Sequence, residues 1–465
     1  MSLSIVILAA GKSTRFKSER PKILHPLGGR PILHYPLNLA RQLSPIPPVL
    51  IAGPETAAEI ETWVGDQARC VIQHERLGTG HAVMQAAPLL SKSTAPVLIL
   101  YGDMPLLQME SLQRLIAAHE NSGALLSVLS VERPDPRGFG RIVRDPDGTV
   151  RAIVEDHEAS PEIAALRELN TGIYLFNAPF LWENLPHIQP SARKGEYYLT
   201  DLIAMAAATP AGVIAVPVHE SDEGLGINTR VDLAVAETAL RRRINEHWML
   251  AGVTLIDPAT TYIEPDVTIG QETVIYPNTH LRGQTTIGTH CELGPNTLIE
   301  AATIGNRCRV QASIVEEAVM EDESNIGPFG HLRKGARLCV GAHMGNFGEM
   351  KNSTLGPGSK MGHFSYLGDA QIGPNVNIGA GTITCNYDGK RKHPTVIEAD
   401  VFIGSDTMLV APLHIGTGAK TGAGSVVTHD LPPHSVAYGV PARIHATEEP
   451  PTQTMEEQGE SGSKR

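Results

Sequence analysis

The sequence predicts an α/β protein built from two architectures in tandem, a mostly parallel sheet followed by a left-handed parallel β-helix. Aliphatic residues stand six apart without a slip at Ile263, Ile269, Ile275, Leu281, Ile287, Leu293 and Ile299. Glycine follows many of these rungs, as at Gly270, Gly288, Gly294 and Gly305. Before about residue 229 the pattern differs: short apolar runs alternate with helix-like stretches, as in a parallel sheet covered on both faces.

A six-residue period matches neither the 3.6 of a helix nor the two of a half-buried strand, whereas a triangular coil with one strand per side sends every sixth side chain inward. The ladder resumes at Ile326, Leu332, Leu338 and Met344, at Ile372 and Ile378, and at Ile403, Leu409 and Ile415. Further corner glycines are Gly327, Gly373, Gly379, Gly404 and Gly416, as a tight corner calls for small residues and often for φ > 0. Short corners replace helical crossovers, so the usual right-handed rule does not bind such coils. A loop after Thr382, with Asn386, Tyr387, Asp388 and a basic cluster, interrupts the repeat, and interruptions of solenoids map to protruding, often functional, loops.

Taken in order, strands are expected at 4 to 10, 48 to 53, 69 to 73, 96 to 101, 124 to 131, 170 to 176 and 212 to 218. The first apolar run is too short for a signal-peptide core and reads as a buried strand. Residues 231 to 250 form a connecting helix with Leu233, Leu240, Ile244 and Trp248 on one stripe and Arg241, Arg242 and Arg243 toward its C-terminal end. The expected organisation is a domain over 1–229, a linker helix over 230–250, a β-helix over 251–446, and a disordered tail over 447–465 that is rich in Glu, Pro, Ser and Gly.

A chain of 465 residues has room for two cores. Its net charge of −12 argues against a general nucleic-acid binder, which needs a basic stripe to displace counterions. No apolar run approaches the ~20 residues that span a bilayer, so membrane insertion is not expected. The five cysteines are widely spaced without a CxxC pair and read as reduced thiols of a cytoplasmic protein.

The first strand ends in LAAGKSTR (8–15), followed by Pro21 and Lys22. Such a turn can aim N–H groups at a polyphosphate, with Arg15 and Lys22 adding charge-assisted bonds, or can be a plain strand-to-helix connection. It is neither GxGxxG nor a Walker loop. VLILYGDMP (97–105) delivers Asp103 just past a strand's carboxyl end, where open α/β sheets bind ligands. Asp103 there caps a turn or holds Mg²⁺, and Asn228 in LGINTR (225–230) can complete such a site. In the second half, NFGEMK (346–351), GHFSYLGD (362–369), NVNIGAGT (375–382) and CNYDG (385–389) stand out. His363 lies off the rungs and points outward, as a solvated residue or as part of a site with Arg333, Lys351, Tyr366, Asn377 and Asn386. Neutral imidazole, with an ordinary pKa of about 6.5, suits the base in acyl transfer to an amine.

LAAGKSTR, QHERLGTGHA (73–82), YGDMP, GFGRI (138–142), IVED (153–156), LNTGI (169–173), GEYYLTD (195–201) and LGINTR resemble, in order, the nucleotidyltransferase half of a bacterial bifunctional family: N-acetylglucosamine-1-phosphate uridyltransferase/glucosamine-1-phosphate N-acetyltransferase. The likeness runs from about residue 3 to 445. It implies a Rossmann-like nucleotidyltransferase domain before the β-helix, UTP bound by Leu8, Ala9, Ala10, Gly11, Arg15 and Lys22, and uracil addressed by Gln73, Gly78 and Thr79. It further implies N-acetylglucosamine held by Gly140, Glu155 and Asn170, and Mg²⁺ on Asp103 and Asn228. On the β-helix it implies His363 as catalytic base, Arg333 and Lys351 on the sugar phosphate, and Tyr366, Asn377, Asn386 and Tyr387 shaping the pocket. Acetyl-CoA is expected near Ala380, Ser405 and Ala423 between neighbouring rods, hence a homotrimer. Two departures are Ser13, where the family turn carries a second glycine, and Gly439, where it carries a basic residue before Val-Pro, Arg443 being displaced along the chain. Two other readings share these features: a single-activity sugar-nucleotide pyrophosphorylase with a regulatory coil, and a non-catalytic assembly subunit.

Overall fold

The computed structural model describes residues 3–133, 138–192 and 195–448. They fall into two compact units divided between Leu240 and Arg241. The expected tail lies outside the described residues from 449 onward; its first residue, Thr447, closes the last strand, Ala442–Thr447.

In the first unit all seven expected strands form, in the spatial order Val213–Pro217, Leu126–Glu132, Glu168–Phe176, Val97–Tyr101, Ser4–Ala9, Val49–Ala52 and Arg69–Ile72. Pairing is parallel except at Glu168–Phe176, which runs against both neighbours. The central strands are near-continuous buried runs such as Val97–Leu100, as expected for a sheet covered on both faces. The hairpin Arg141–Arg144 with Val150–Val154 adds two strands to those expected. Its turn, Asp145-Pro-Asp-Gly-Thr149, and the flanking apolar residues Ile142, Val143, Val150 and Ile153 are a hairpin signal of the kind that pairs Asp-Gly with short strands.

The second unit is a parallel β-helix of three sheets with 12, 10 and 9 strands, each strand pairing with the one three elements later until the C-terminal end, where Lys420–Thr421 pairs with Ser435–Gly439 and that strand pairs antiparallel with Ala442–Thr447. Every ladder residue expected from the period is buried. Where the period fails, the ladder continues with one corner residue fewer, from Ile299 to Ile304 and from Val310 through Val315 to Met320. Each triangular face keeps its inward column because the shortfall falls at a corner.

Most of the corner glycines are needed for their small size rather than for positive φ. Of those named, only Gly294 and Gly327 have positive φ (99° and 120°). At the others a Cβ would collide with the next coil: at Gly270 it would lie 2.6 Å from Gly288 C, and at Gly404 2.6 Å from Thr421 O. Left-handed corners are taken by Asn278, Asn296, Asn375, Asp400 and Asp406, among others, residue types that tolerate that conformation. Buried hydroxyls close the corners: Thr279 Oγ1 donates to Tyr276 O at 2.8 Å, and Ser425 Oγ to Gly422 O at 2.6 Å.

The connecting helix is Arg230–Leu250. Leu233 and Leu240 pack on the cluster around Phe16, Leu27 and Ile227 in the first unit, and Ile244 and Trp248 on the core of the second. Arg241 to Arg243 sit inside the helix rather than in its last turn, where the basic residue is His247; Arg241 instead stacks 4.6 Å over the Tyr262 ring.

Candidate functional sites

In the first unit the carboxyl ends of Ser4–Ala9, Val49–Ala52, Arg69–Ile72 and Val97–Tyr101 point the same way, and their loops enclose a cavity of about 430 Å³. Leu8, Ala9, Ala10, Gly11, Arg15, Lys22, Gln73, Gly78, Thr79, Asp103 and Asn228 all line it. Ile227 N donates to Asp103 O at 2.9 Å. That bond fastens the LGINTR segment to the end of the central strand and sets Asn228 beside Asp103. Lys22 Nζ donates to Asp103 Oδ2 at 2.6 Å, and Arg15 Nη2 to Asn228 Oδ1 at 2.9 Å.

Gly78 is fixed by close approach and by conformation. Its φ is +98°, and a Cβ would stand 2.6 Å from Tyr197 O. The GEYYLTD segment is laced to this loop by Tyr197 N to Leu77 O, Gly80 N to Tyr197 O and Leu199 N to Thr79 Oγ1, at 2.7, 2.8 and 3.1 Å. Gln73, buried, donates to Gly78 O at 3.1 Å.

Gly140, Glu155 and Asn170 form a group outside the cavity's immediate lining. Asn170 N donates to Gly140 O at 2.8 Å, Asn170 Oδ1 accepts from Gly172 N at 2.9 Å, and Glu155 Oε1 accepts from Thr200 Oγ1 at 3.2 Å. Gly172, at φ +85° in a break of strand register, leaves room for the Tyr101 ring, which a Cβ would meet at 2.7 Å. Tyr101 does line the cavity; burial pushes its hydroxyl pKa up, reinforced by the charges of Glu155 and Asp103. It therefore lies between the two groups, a site residue within the YGDMP motif to which the sequence alone gives no role. Ser13 has φ 55°, the left-handed region where the family's glycine would sit without strain.

Two hard oxygens from Asp103 and Asn228 are the cavity's candidate metal donors. Among the described residues no group of three or more His, Cys, Asp or Glu side chains forms a metal cage. Two oxygen donors leave the remaining positions of any bound ion to phosphate oxygens and water, a donor chemistry compatible with Mg²⁺.

On the β-helix, Arg333, Lys351, Tyr366 and Asn386 share one face. Arg333 N donates to Met350 O at 2.9 Å, Lys351 pairs in register with Gly368, and Glu349 with Tyr366. Glu349, unassigned from sequence, accepts from Arg333 Nη1 at 2.8 Å. A Cβ at Gly368 would collide with Tyr366 Oη and lie 2.7 Å from Asn386 Nδ2. Asn386 is buried and donates to Asp369 Oδ2 at 2.5 Å. Tyr387 is exposed in the following loop, its hydroxyl donating to Gly389 O at 2.7 Å. Asn377 belongs to the adjacent face, paired with Lys360 and Phe402.

His363 is exposed at the corner between these two faces. Its Nδ1 lies 3.3 Å from Asn346 Oδ1. An amide oxygen only accepts, so in the neutral tautomer that donates this bond from Nδ1 the lone pair is on Nε2. Ala380, Ser405 and Ala423 follow along the same edge, through Gly381 N to Phe364 O, Asp406 N to Ala380 O and Gly424 N to Ser405 O at 2.7, 2.6 and 2.8 Å. Coils rise about 4.8 Å each, so Ala423 stands roughly 14 Å along the edge from His363. The edge also exposes Phe329, Phe347 and Phe364 at 59%, 60% and 57%, the first two stacked at 5.2 Å. Their near-constant spacing, one per coil, is the sequence signal for this edge. Gly439 has φ +106° at a hairpin end where it pairs with Ala442, a conformation an arginine would adopt only under strain.

No helix among the described residues is long and apolar enough to cross a membrane. Residues 5–171 match the MobA-like NTP transferase domain family, 266–301 the bacterial transferase hexapeptide (six repeats), and 394–429 the hexapeptide repeat of succinyl-transferase. Among curated proteins, the bifunctional protein GlmU of Pelobacter propionicus is 46% identical over 438 residues, covering 94% of this chain and 95% of its own. That of Exiguobacterium sibiricum is 45% identical over 445 residues, with 96% and 98% covered. The protein of the same name from Trichlorobacter lovleyi is 47% identical over 445 residues, with 95% and 96% covered. With its two architectures, their ordered motifs and relatives of this identity along nearly its whole length, the chain belongs to the bifunctional GlmU family.

Proposed function

We propose that the protein acetylates glucosamine-1-phosphate with acetyl-CoA on its β-helix and transfers UMP from UTP to the resulting N-acetylglucosamine-1-phosphate in its first unit, giving UDP-N-acetylglucosamine and pyrophosphate. One observation carries this reading. Motif residues scattered from Leu8 to Asn228 meet in one cavity at the carboxyl ends of parallel strands, while His363 and its neighbours gather on the other unit.

In the uridylyl step a sugar-1-phosphate oxygen attacks the α-phosphorus of UTP and the bond to the β-phosphate breaks. A phosphate monoester is already largely dianionic at neutral pH, so the attacking oxygen needs no protein base. Lys22, Arg15 and the N–H groups of the Gly-rich turn orient the triphosphate and balance its charge. Gln73, Gly78 and Thr79 select the uracil, and Gly140, Glu155 and Asn170 the acetylated sugar. Asp103 and Asn228 would hold Mg²⁺, which when bound supplies charge neutralisation at the phosphates.

In the acetyl step the sugar amine attacks the thioester carbonyl, His363 Nε2 takes the amine proton, and CoA leaves. Arg333 and Lys351 bind the sugar phosphate, with Tyr366, Asn377, Asn386 and Tyr387 around the ring. An extended acyl carrier fits the edge through Ala380, Ser405 and Ala423. Partnership with two further copies as a homotrimer is supported by the exposed phenylalanine edge beside His363, and water-soluble substrates agree with a cytoplasmic location. The retained His363, Arg333 and Lys351 favour this account over a purely regulatory coil.

Purified protein given glucosamine-1-phosphate, acetyl-CoA, UTP and Mg²⁺ is expected to release free CoA first and pyrophosphate after it. Pyrophosphate released equally fast without acetyl-CoA, or no CoA at all, would defeat the proposal.

A further inference from the structure

Three loops that follow adjacent strands meet at one guanidinium. Arg76 Nε donates to Ala10 O at 2.6 Å, its Nη1 donates to Glu55 Oε1 at 2.9 Å, and its Nη2 pairs with Glu55 Oε2. The room it occupies depends on Gly53, where a Cβ would stand 2.5 Å from Arg76 Nη2. Arg76 also lines the nucleotide cavity, yet its charge is already matched: Glu55, held down to about 2 chiefly by its hydrogen bond from Arg76, is ionised throughout the neutral range. Its contribution to a bound nucleotide is therefore directional rather than a matter of net charge.

The direction follows from peptide geometry. Ala10–Gly11 is not among the cis bonds, and in a planar trans peptide the carbonyl and the following N–H point opposite ways. With Ala10 O turned to Arg76, Gly11 N–H is turned away from it. Gly11 lines the cavity, and a Cβ there would meet nothing within 4 Å. We propose that Arg76 is a positioning residue for nucleotidyl transfer, a strut that through the Ala10 carbonyl fixes the Gly11 N–H as a donor to the nucleotide's phosphates. This rests on the uridylyl-transfer reading given above.

The substitutions that test it are chosen by shape. Glutamine places its amide nitrogen where arginine has Nε, so R76Q keeps the bond to Ala10 O and gives up Glu55; methionine fills similar space with no donor. In the full-length protein, assayed for pyrophosphate release with UTP, N-acetylglucosamine-1-phosphate and Mg²⁺, R76M is expected to lower kcat/KM for UTP about tenfold or more, the scale of one lost charge-assisted hydrogen bond. R76Q should stay within about threefold of the parent, the KM for the sugar phosphate should change little in both, and acetyl transfer should be untouched. R76M equal to the parent, R76Q falling as far as R76M, or both KM values rising together would overturn the strut. A parent protein that releases no pyrophosphate would sink the uridylyl reading itself, whereas an active parent with an unaffected R76M sinks only this inference.

Discussion

Lys22 Nζ lies 2.6 Å from Asp103 Oδ2, joining the segment after the first strand to the end of the central one. The lysine side chain is only 9% exposed, so its charge is balanced locally rather than by solvent. Replacing Lys22 by Met is expected to lower kcat/KM for uridylyl transfer about 10- to 100-fold, from loss of a charge-assisted bond of about 1.5–3 kcal/mol, while acetyl transfer is unchanged. Initial rates of pyrophosphate and CoA release measure the two separately.

Ser13 stands at φ 55° in the turn after the first strand, which the proposed function assigns to the phosphates. A left-handed conformation costs a non-glycine residue roughly 1–2 kcal/mol, and a β-branched one more. The expected order of UTP affinity is Ser13→Gly at or above the parent, then Ser13→Ala, then Ser13→Val weakest by about tenfold. Calorimetric titration with UTP gives the order directly; a tightly binding valine variant would show that the turn does not hold this conformation.

Thr384 occupies an inward rung where an aliphatic residue is expected. Its Oγ1 accepts from Gly368 N at 2.7 Å, beneath Tyr366 and Asn386. Thr384→Val leaves that buried N–H without its partner, at a cost of about 1–3 kcal/mol. Thermal unfolding of the β-helix should move down and acetyl transfer should weaken, with uridylyl transfer unaffected.

Asp388 organises the loop that interrupts the repeat. It accepts from Arg391 N and Lys390 N, each at 2.7 Å, and pairs with His393 Nε2 at 2.7 Å. These bonds, that from Arg391 N foremost, hold its carboxyl down to about 2. A depressed folded-state pKa contributes stability that is present above the ordinary carboxylate value near 3.9 and is lost as pH falls through about 2. Hydrogen exchange at the Lys390 and Arg391 amides should therefore accelerate, beyond its intrinsic pH dependence, between about pH 4 and 2. In Asp388→Asn these amides should lack that step.

The legible part of the sequence is periodic or local. The rung at Ile263 announces the coil because one side of a triangle repeats every six residues, and Asp103 announces a site because it closes an apolar strand. Contacts between distant segments are not legible: Tyr101 between Asp103 and Glu155, or Glu349 beneath Arg333, depend on which strands become neighbours. Corner glycines such as Gly270 are visible, but their cause is not, since the approach of the next coil exists only after stacking. Thr384 breaks the apolar pattern because a hydrogen bond replaces the aliphatic contact there.

The central claim is that two chemically independent sites reside on one chain. His363→Ala, assayed in the full-length protein, tests it most directly: CoA release from acetyl-CoA and glucosamine-1-phosphate should fall to background while pyrophosphate release from UTP and N-acetylglucosamine-1-phosphate keeps the parent rate. Equal loss of both activities in a variant that remains folded would contradict the account.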